Sequence, residues 1–201
     1  MGRKNEMDYS IEIQILTWPQ TFDKSEALLK LCRQHPKQSS LLTACACVVM
    51  AAALEQAVSS KLALIVASAD EMGYKLDAYA DMLEKPGFLK KRVEAIPAIT
   101  THGRLHLNWR SADGRTLCQL MSLNDQLLHI REGVLTIKKG DPRARWQGST
   151  LEPDIALPSN PWDDVTLKSA RQFRDAVLIY MREVIEPDEI KPGEIVKKRR
   201  R

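Results

Sequence analysis

The chain has 201 residues, of which 44% are hydrophobic and 28% charged. That is enough apolar material for one domain with a core, and it excludes a collagen-like, disulfide-framework or wholly disordered protein. The net charge of +4 resides at one end: Lys197, Lys198, Arg199, Arg200 and Arg201 are all basic, and without them 25 Lys and Arg face 26 Asp and Glu. The body therefore carries no pervasive basic field of the kind that coats nucleic acid. Its basic end reads either as a solvated tail or as an arm for RNA, DNA or an acidic partner.

Aromatic residues make up only 5% of the chain, so its core must be built from Leu, Ala, Val and Ile, a composition that favours helix. Residues 1–22 read as an N-terminal arm. Ile11, Ile13 and Ile15 alternate with polar neighbours until Pro19 stops the pattern. Thr21 or Asp23 is a suitable cap for a first helix running to about Arg33, and Pro36 ends it. Ser39 or Ser40 opens the strongest element, an Ala-, Leu- and Val-rich helix from Leu41 to about Ala69. Being apolar nearly all round, it belongs in the middle of a bundle. Its longest uncharged run, Leu41 to Leu54, falls short of the roughly 20 residues that a membrane span requires.

A further helix is expected over Glu71–Lys85, broken by Pro86-Gly87. A shorter one follows from Phe88 to about Glu94, ended or bent by Pro97. Residues 101–110 read as a connection. Asp113 or Thr116 opens a helix through Arg131, with Gly133 as its stop. Residues 132–166 hold four of the ten Pro and three of the nine Gly, and read as a long irregular insertion that includes a short strand over Val134–Ile137 and is pinned to the core by Trp146 and Trp162. Asp163, Asp164 or Thr166 caps a last helix through about Ile185, and 187–201 read as a basic C-terminal tail. The expected architecture is all-α: a helical bundle over 23–186 with a long Pro/Gly-rich insertion before the last helix.

Several chemistries are excluded by spacing. No two glycines lie closer than seven residues apart, which rules out both G-x-G-x-x-G and the P-loop. There is no G-x-S-x-G elbow and no C-x-x-C. Cys32, His35, Cys45 and Cys47 fit no zinc signature, and the four cysteines read as reduced thiols. His102 and His106 are four apart, but Gly103 stands where H-E-x-x-H needs its glutamate. With no signal-peptide pattern at the N-terminus, the expected location is cytoplasmic. The pattern implies neither a metal nor a cofactor.

One constellation remains, Asn124-Asp125-Gln126-Leu127-Leu128-His129. On a helix, Asn124 is centred among Leu117, Leu120, Met121, Leu127 and Leu128, where its amide needs hydrogen-bond partners. Asp125 and His129 share a face, so the carboxylate is placed to orient the imidazole and raise its basicity. This segment resembles the R-N-x-x-x-H pattern of the HEPN superfamily, all-helical and often dimeric domains, many of them metal-independent RNases of toxin–antitoxin and phage-defence systems. Ala51–Ala57, which contains Glu55, is similar to an acidic-residue helix found early in some of these domains.

The resemblance implies an RNA-directed defence or toxin–antitoxin protein. His129 would transfer the proton for attack by a ribose 2′-hydroxyl, Asp125 would orient it, and Asn124 would bind phosphate or seal a dimer. Glu55 is a weaker candidate for the same site. Arg131 and the terminal Lys197, Lys198, Arg199, Arg200 and Arg201 would attract RNA. The family's Arg is Asn124 here, and an amide does not replace a bidentate guanidinium at a phosphate; activity as a metal-independent endoribonuclease is therefore expected to be weak or lost. Implied partners are RNA, a second copy of the chain and a cognate toxin or antitoxin, with no membrane. The rival reading is a noncatalytic helical interaction module, a dimeric scaffold or cognate neutraliser. A basic groove converging on His129 would favour RNA chemistry, and an apolar surface beside Leu120, Asn124 and Leu127 would favour an interface.

Overall fold

A computed structural model of the chain describes residues 17–84, 89–129 and 165–199. Helix makes up 76% of these, so the fold class is all-α, as expected. In chain order the elements are α1 (Trp18–Gln34), a 3-10 turn (Pro36–Gln38), α2 (Ser39–Glu71), α3 (Asp77–Glu84), α4 (Leu89–Thr100), β1 (Leu105–Leu107), α5 (Ala112–His129), α6 (Leu167–Tyr180), a π-helical turn (Met181–Ile185) and β2 (Val196–Lys198). The alternating isoleucines, Pro86-Gly87, and the 132–166 insertion up to Asp164, with its Val134–Ile137 strand and both tryptophans, lie outside the described residues.

The bundle is built around α2, which touches α1, α3, α4, α5 and α6. Ala44, Ala46, Cys47, Met50, Ala53, Leu54 and Ala57 are fully buried along it. Small side chains at this density let neighbouring helix axes approach closely, and burial on several sides explains why the helix has no polar face. By length and composition α2 is also apolar enough to cross a bilayer, and more than half of its most apolar stretch is buried by the other helices.

Helix boundaries depart from the sequence expectation where proline acts. α1 begins at Trp18, not after Thr21, and so takes in the end of the expected arm. Pro19 sits in the first turn, where a missing N–H costs nothing, and Thr17 precedes it with its own N–H donated to Gln20 Oε1 at 2.8 Å. In α4, Pro97 neither ends nor caps the helix, which continues to Thr100. A proline there leaves the carbonyl of Val93, four residues back, without its helical donor. The hydroxyl of fully buried Tyr180 from α6 donates to that oxygen at 3.2 Å. Burial also raises the Tyr180 pKa well above the ordinary tyrosine value, so the group stays a donor.

The largest departure is at the C-terminus. Residues up to 199, expected as part of a polar tail, are packed onto the bundle. Ile190, Ile195 and Val196 are buried, and β2 pairs antiparallel with β1, which the sequence suggested was only a connection. Three apolar side chains scattered among prolines and charges show no period, so only the partner strand, some 90 residues earlier, reveals the pairing.

Candidate nucleic-acid interface

The two-stranded sheet is assembled from both ends by backbone contacts. α4 stops at His102 and Gly103, both in the left-handed region with φ of 50° and 74°, and the Gly103 N–H reaches back to Ala98 O at 2.7 Å. The chain then turns into β1, with Leu105 opposite Lys198, His106 opposite Lys197 and Leu107 opposite Val196. Asn108 N–H donates to Ile195 O at 2.7 Å and Arg199 N–H to Arg104 O at 3.0 Å, extending the ladder past both strand ends. On the β2 side, Glu183 holds the approach. Its carboxylate accepts the N–H of Glu194 at 2.9 Å and of Ile195 at 3.0 Å. A Cβ on Gly193 would sit 2.6 Å from that carboxylate, so the clamp requires glycine there. On the β1 side, a Cβ on Gly114 in the first turn of α5 would come within 2.2 Å of Asn108 O.

This arrangement gathers cations. A cleft of about 740 Å³ is lined by Ala98, Gly103, Leu105, His106, Asn108, Arg110, Lys197, Lys198 and Arg199, with no carboxylate among these. A second cleft of about 820 Å³ shares Gly103, Leu105, Lys198 and Arg199 and adds Lys61, Arg104 and Lys191, together with Asp188 and Glu189. Arg104, Arg110, Lys198 and Arg199 are exposed, and Lys197 is half-buried. Clustered ammonium and guanidinium groups in a concave surface are what phosphate groups bind. His106 lies among them with its Nδ1 buried and without a hydrogen-bond partner. Burial, then Lys197 and Arg199, hold its pKa below the ordinary histidine value.

The residues of the sequence motif lie elsewhere. Asn124 is half-buried and Asp125 exposed, both near the C-terminal end of α5. At 1.5 Å per residue that is about 20 Å along the helix from its start beside the sheet. His129 ends α5, and its side chain, like Arg131, Arg200 and Arg201, falls outside the described residues. The cations that are described therefore gather at the opposite end of α5 from His129. Leu120 and Leu127 are buried in the core, so among the described residues they offer no apolar surface; Leu128 is 57% exposed. Asn124 is correspondingly off the centre of the buried stripe, which runs through Leu117, Leu120, Leu123 and Leu127.

No protein-family model, curated protein or solved structure matches this chain.

Glu55 joins neither group. Its carboxylate pairs with Arg92 Nη1 at 3.2 Å. Arg92 is 4% exposed and also donates to Met82 O at 2.7 Å, Leu83 O at 3.2 Å and Ser59 Oγ at 3.1 Å, tying α2, α3 and α4 together. Glu55 thus completes a structural node. In the sequence Arg92 stands in a basic run, Lys90-Lys91-Arg92, and its spacing to Ile96 puts it on the buried face of α4. Among the described residues no three His, Cys, Asp or Glu side chains converge as metal ligands. Burial pushes the thiols of Cys47 and Cys118 up to about 12, so neither is a nucleophile near neutral pH. Arg104, His106 and Arg110 were also missed as site residues. Their one sequence signal is a basic spacing on either side of the Leu105-His106-Leu107 alternation.

Proposed function

We propose that this chain is an RNA-directed helical protein, HEPN-like and of the defence or toxin–antitoxin type, which holds RNA on the β1–β2 cation cluster and has weak or no metal-independent RNase activity. The observation that carries the RNA-directed part is the cleft in which Arg110, Lys197, Lys198 and Arg199 converge with no carboxylate among its described lining residues. Backbone pairing fixes Lys197 and Lys198 on one short strand and ties Arg199 just beyond it to Arg104 O, so a bound phosphate chain meets an organised surface rather than a loose tail. The loss of the motif arginine at Asn124 supports weak or absent cleavage.

Two measurements test the reading. Full-length protein should bind a labelled single-stranded oligoribonucleotide in fluorescence anisotropy. Engagement of about four phosphates predicts a log–log salt slope near −3, or on the order of 50-fold weaker binding from 50 to 200 mM salt. Absence of binding at low salt removes the proposal. Incubation with RNA in EDTA, wild type beside His129→Ala, should show little or no cleavage in either; strong wild-type cleavage abolished by the mutation would restore full enzyme status. The second reading, a noncatalytic interaction module, is favoured by exposed Leu128 one turn beyond half-buried Asn124. Leu128→Asp leaving a partner-free monomer unchanged in light scattering would count against self-association through that end.

A further inference from the structure

Resting on the RNA-directed reading, we propose that the carboxylate-free cleft is a proton-linked phosphate site, in which His106 takes up a proton when a backbone phosphate seats between Lys197, Arg199 and Arg110. The strand register puts His106 directly opposite Lys197, and residues opposite one another in an antiparallel pair share a face. Lys198 and Arg199 line the same cleft from β2, and Arg110 lies four residues beyond His106. Arg104, two residues before it, faces the neighbouring cleft. From the end of α4 the cleft receives only Ala98 and Gly103, which carry no charge. Among the described residues, every charged group that lines this cleft with His106 is thus a cation.

The buried atom gives the site its chemistry. Nδ1 of His106 has no partner. An imidazolium in this position would place a charged N–H among cations with no acceptor, and both the burial and the cations disfavour the proton. A phosphate in the cleft cancels much of the field of Lys197 and Arg199. The pKa of His106 then rises towards or above its ordinary value, and linkage requires that whatever raises the pKa on binding makes binding tighter as pH falls. The free site is neutral at His106 above its lowered pKa, the bound site is protonated up to the raised one, and affinity grows between the two as pH falls. Each unit of difference corresponds to about a tenfold change in affinity.

The test is anisotropy with a labelled oligouridylate and the full chain, at constant ionic strength, from pH 5.5 to 8. Wild type should bind several-fold to tenfold more tightly at the acid end. His106→Asn should flatten the profile. His102→Asn, which alters the exposed histidine of the neighbouring cleft, should leave the profile intact. Should His106→Asn fold poorly, wild-type calorimetry at pH 6.5 in buffers of different ionisation heat replaces it, with net proton uptake expected. A flat wild-type profile with tight binding at pH 8, or an unchanged slope in folded His106→Asn, or no proton uptake, overturns the inference and leaves RNA binding standing. Loss of RNA binding at every pH would sink the underlying reading as well.

Discussion

At its N-terminal end, α5 is fastened by the backbone of the residues before it: Ser111 Oγ accepts the Gly114 N–H at 3.0 Å, and Gly114 leaves room for Asn108 O. Asn108 in turn bonds the residue that leads into β2. At its C-terminal end the same helix buries Leu123 and Leu127, half-buries Asn124 and turns Asp125 and Leu128 to solvent. The first end is a junction of three chain segments that concentrates positive charge. The second carries a motif whose residues are all neighbours in sequence. A motif is visible because it is local. The cation cluster is invisible in the sequence because Arg110 joins Lys197, Lys198 and Arg199 only when β2 pairs with β1.

The comparison is most directly broken by charge reversal. Lys197→Glu with Arg199→Glu should weaken RNA binding by more than about 100-fold at low salt, since it replaces two phosphate contacts by two repulsions. A change below tenfold in anisotropy would move the RNA site away from the sheet. Next in size, Gly114→Ala should destabilise the fold by about 2–4 kcal/mol, because the added methyl meets a backbone oxygen rather than a movable side chain; a melting temperature within a degree of wild type would show that the junction yields. Glu183→Ala should cost about 1–3 kcal/mol locally by leaving the Glu194 and Ile195 N–H groups without their acceptor. Hydrogen exchange should accelerate over 190–199 and not in α2, and RNA affinity should fall with it. Unchanged protection there would exclude the clamp. The smallest effect belongs to the motif end: Asp125→Ala should change RNA affinity less than about twofold, because the group is exposed and lies about 20 Å along the helix from the cleft. A larger loss would return the binding site to the sequence motif.

Most helices were legible. α2 showed itself through an apolar run that no exposed helix would carry, and α6 through its Thr166 cap, whose Oγ1 does accept the Ser169 N–H at 3.1 Å. These are local signals, set within one or two turns. The prolines misled because their effect depends on surroundings. Pro19 could end an extended stretch or open a helix, and Pro97 was tolerated because Tyr180, far along the chain, donates to the freed carbonyl. Glu55 looked like a site residue since a carboxylate in an apolar helix needs a reason; the reason is Arg92, on another helix.

The sequence by itself determined the class of fold, the central place of α2 and the presence of a strongly basic C-terminus, since composition and helical period are properties of contiguous residues. Tertiary structure alone decided that Lys197–Arg199 form an anchored edge rather than a tail, and that half-buried His106 lies among cations. Those facts depend on a strand pairing across some 90 residues, on one carboxylate at Glu183 and on two glycines whose missing side chains leave space for them.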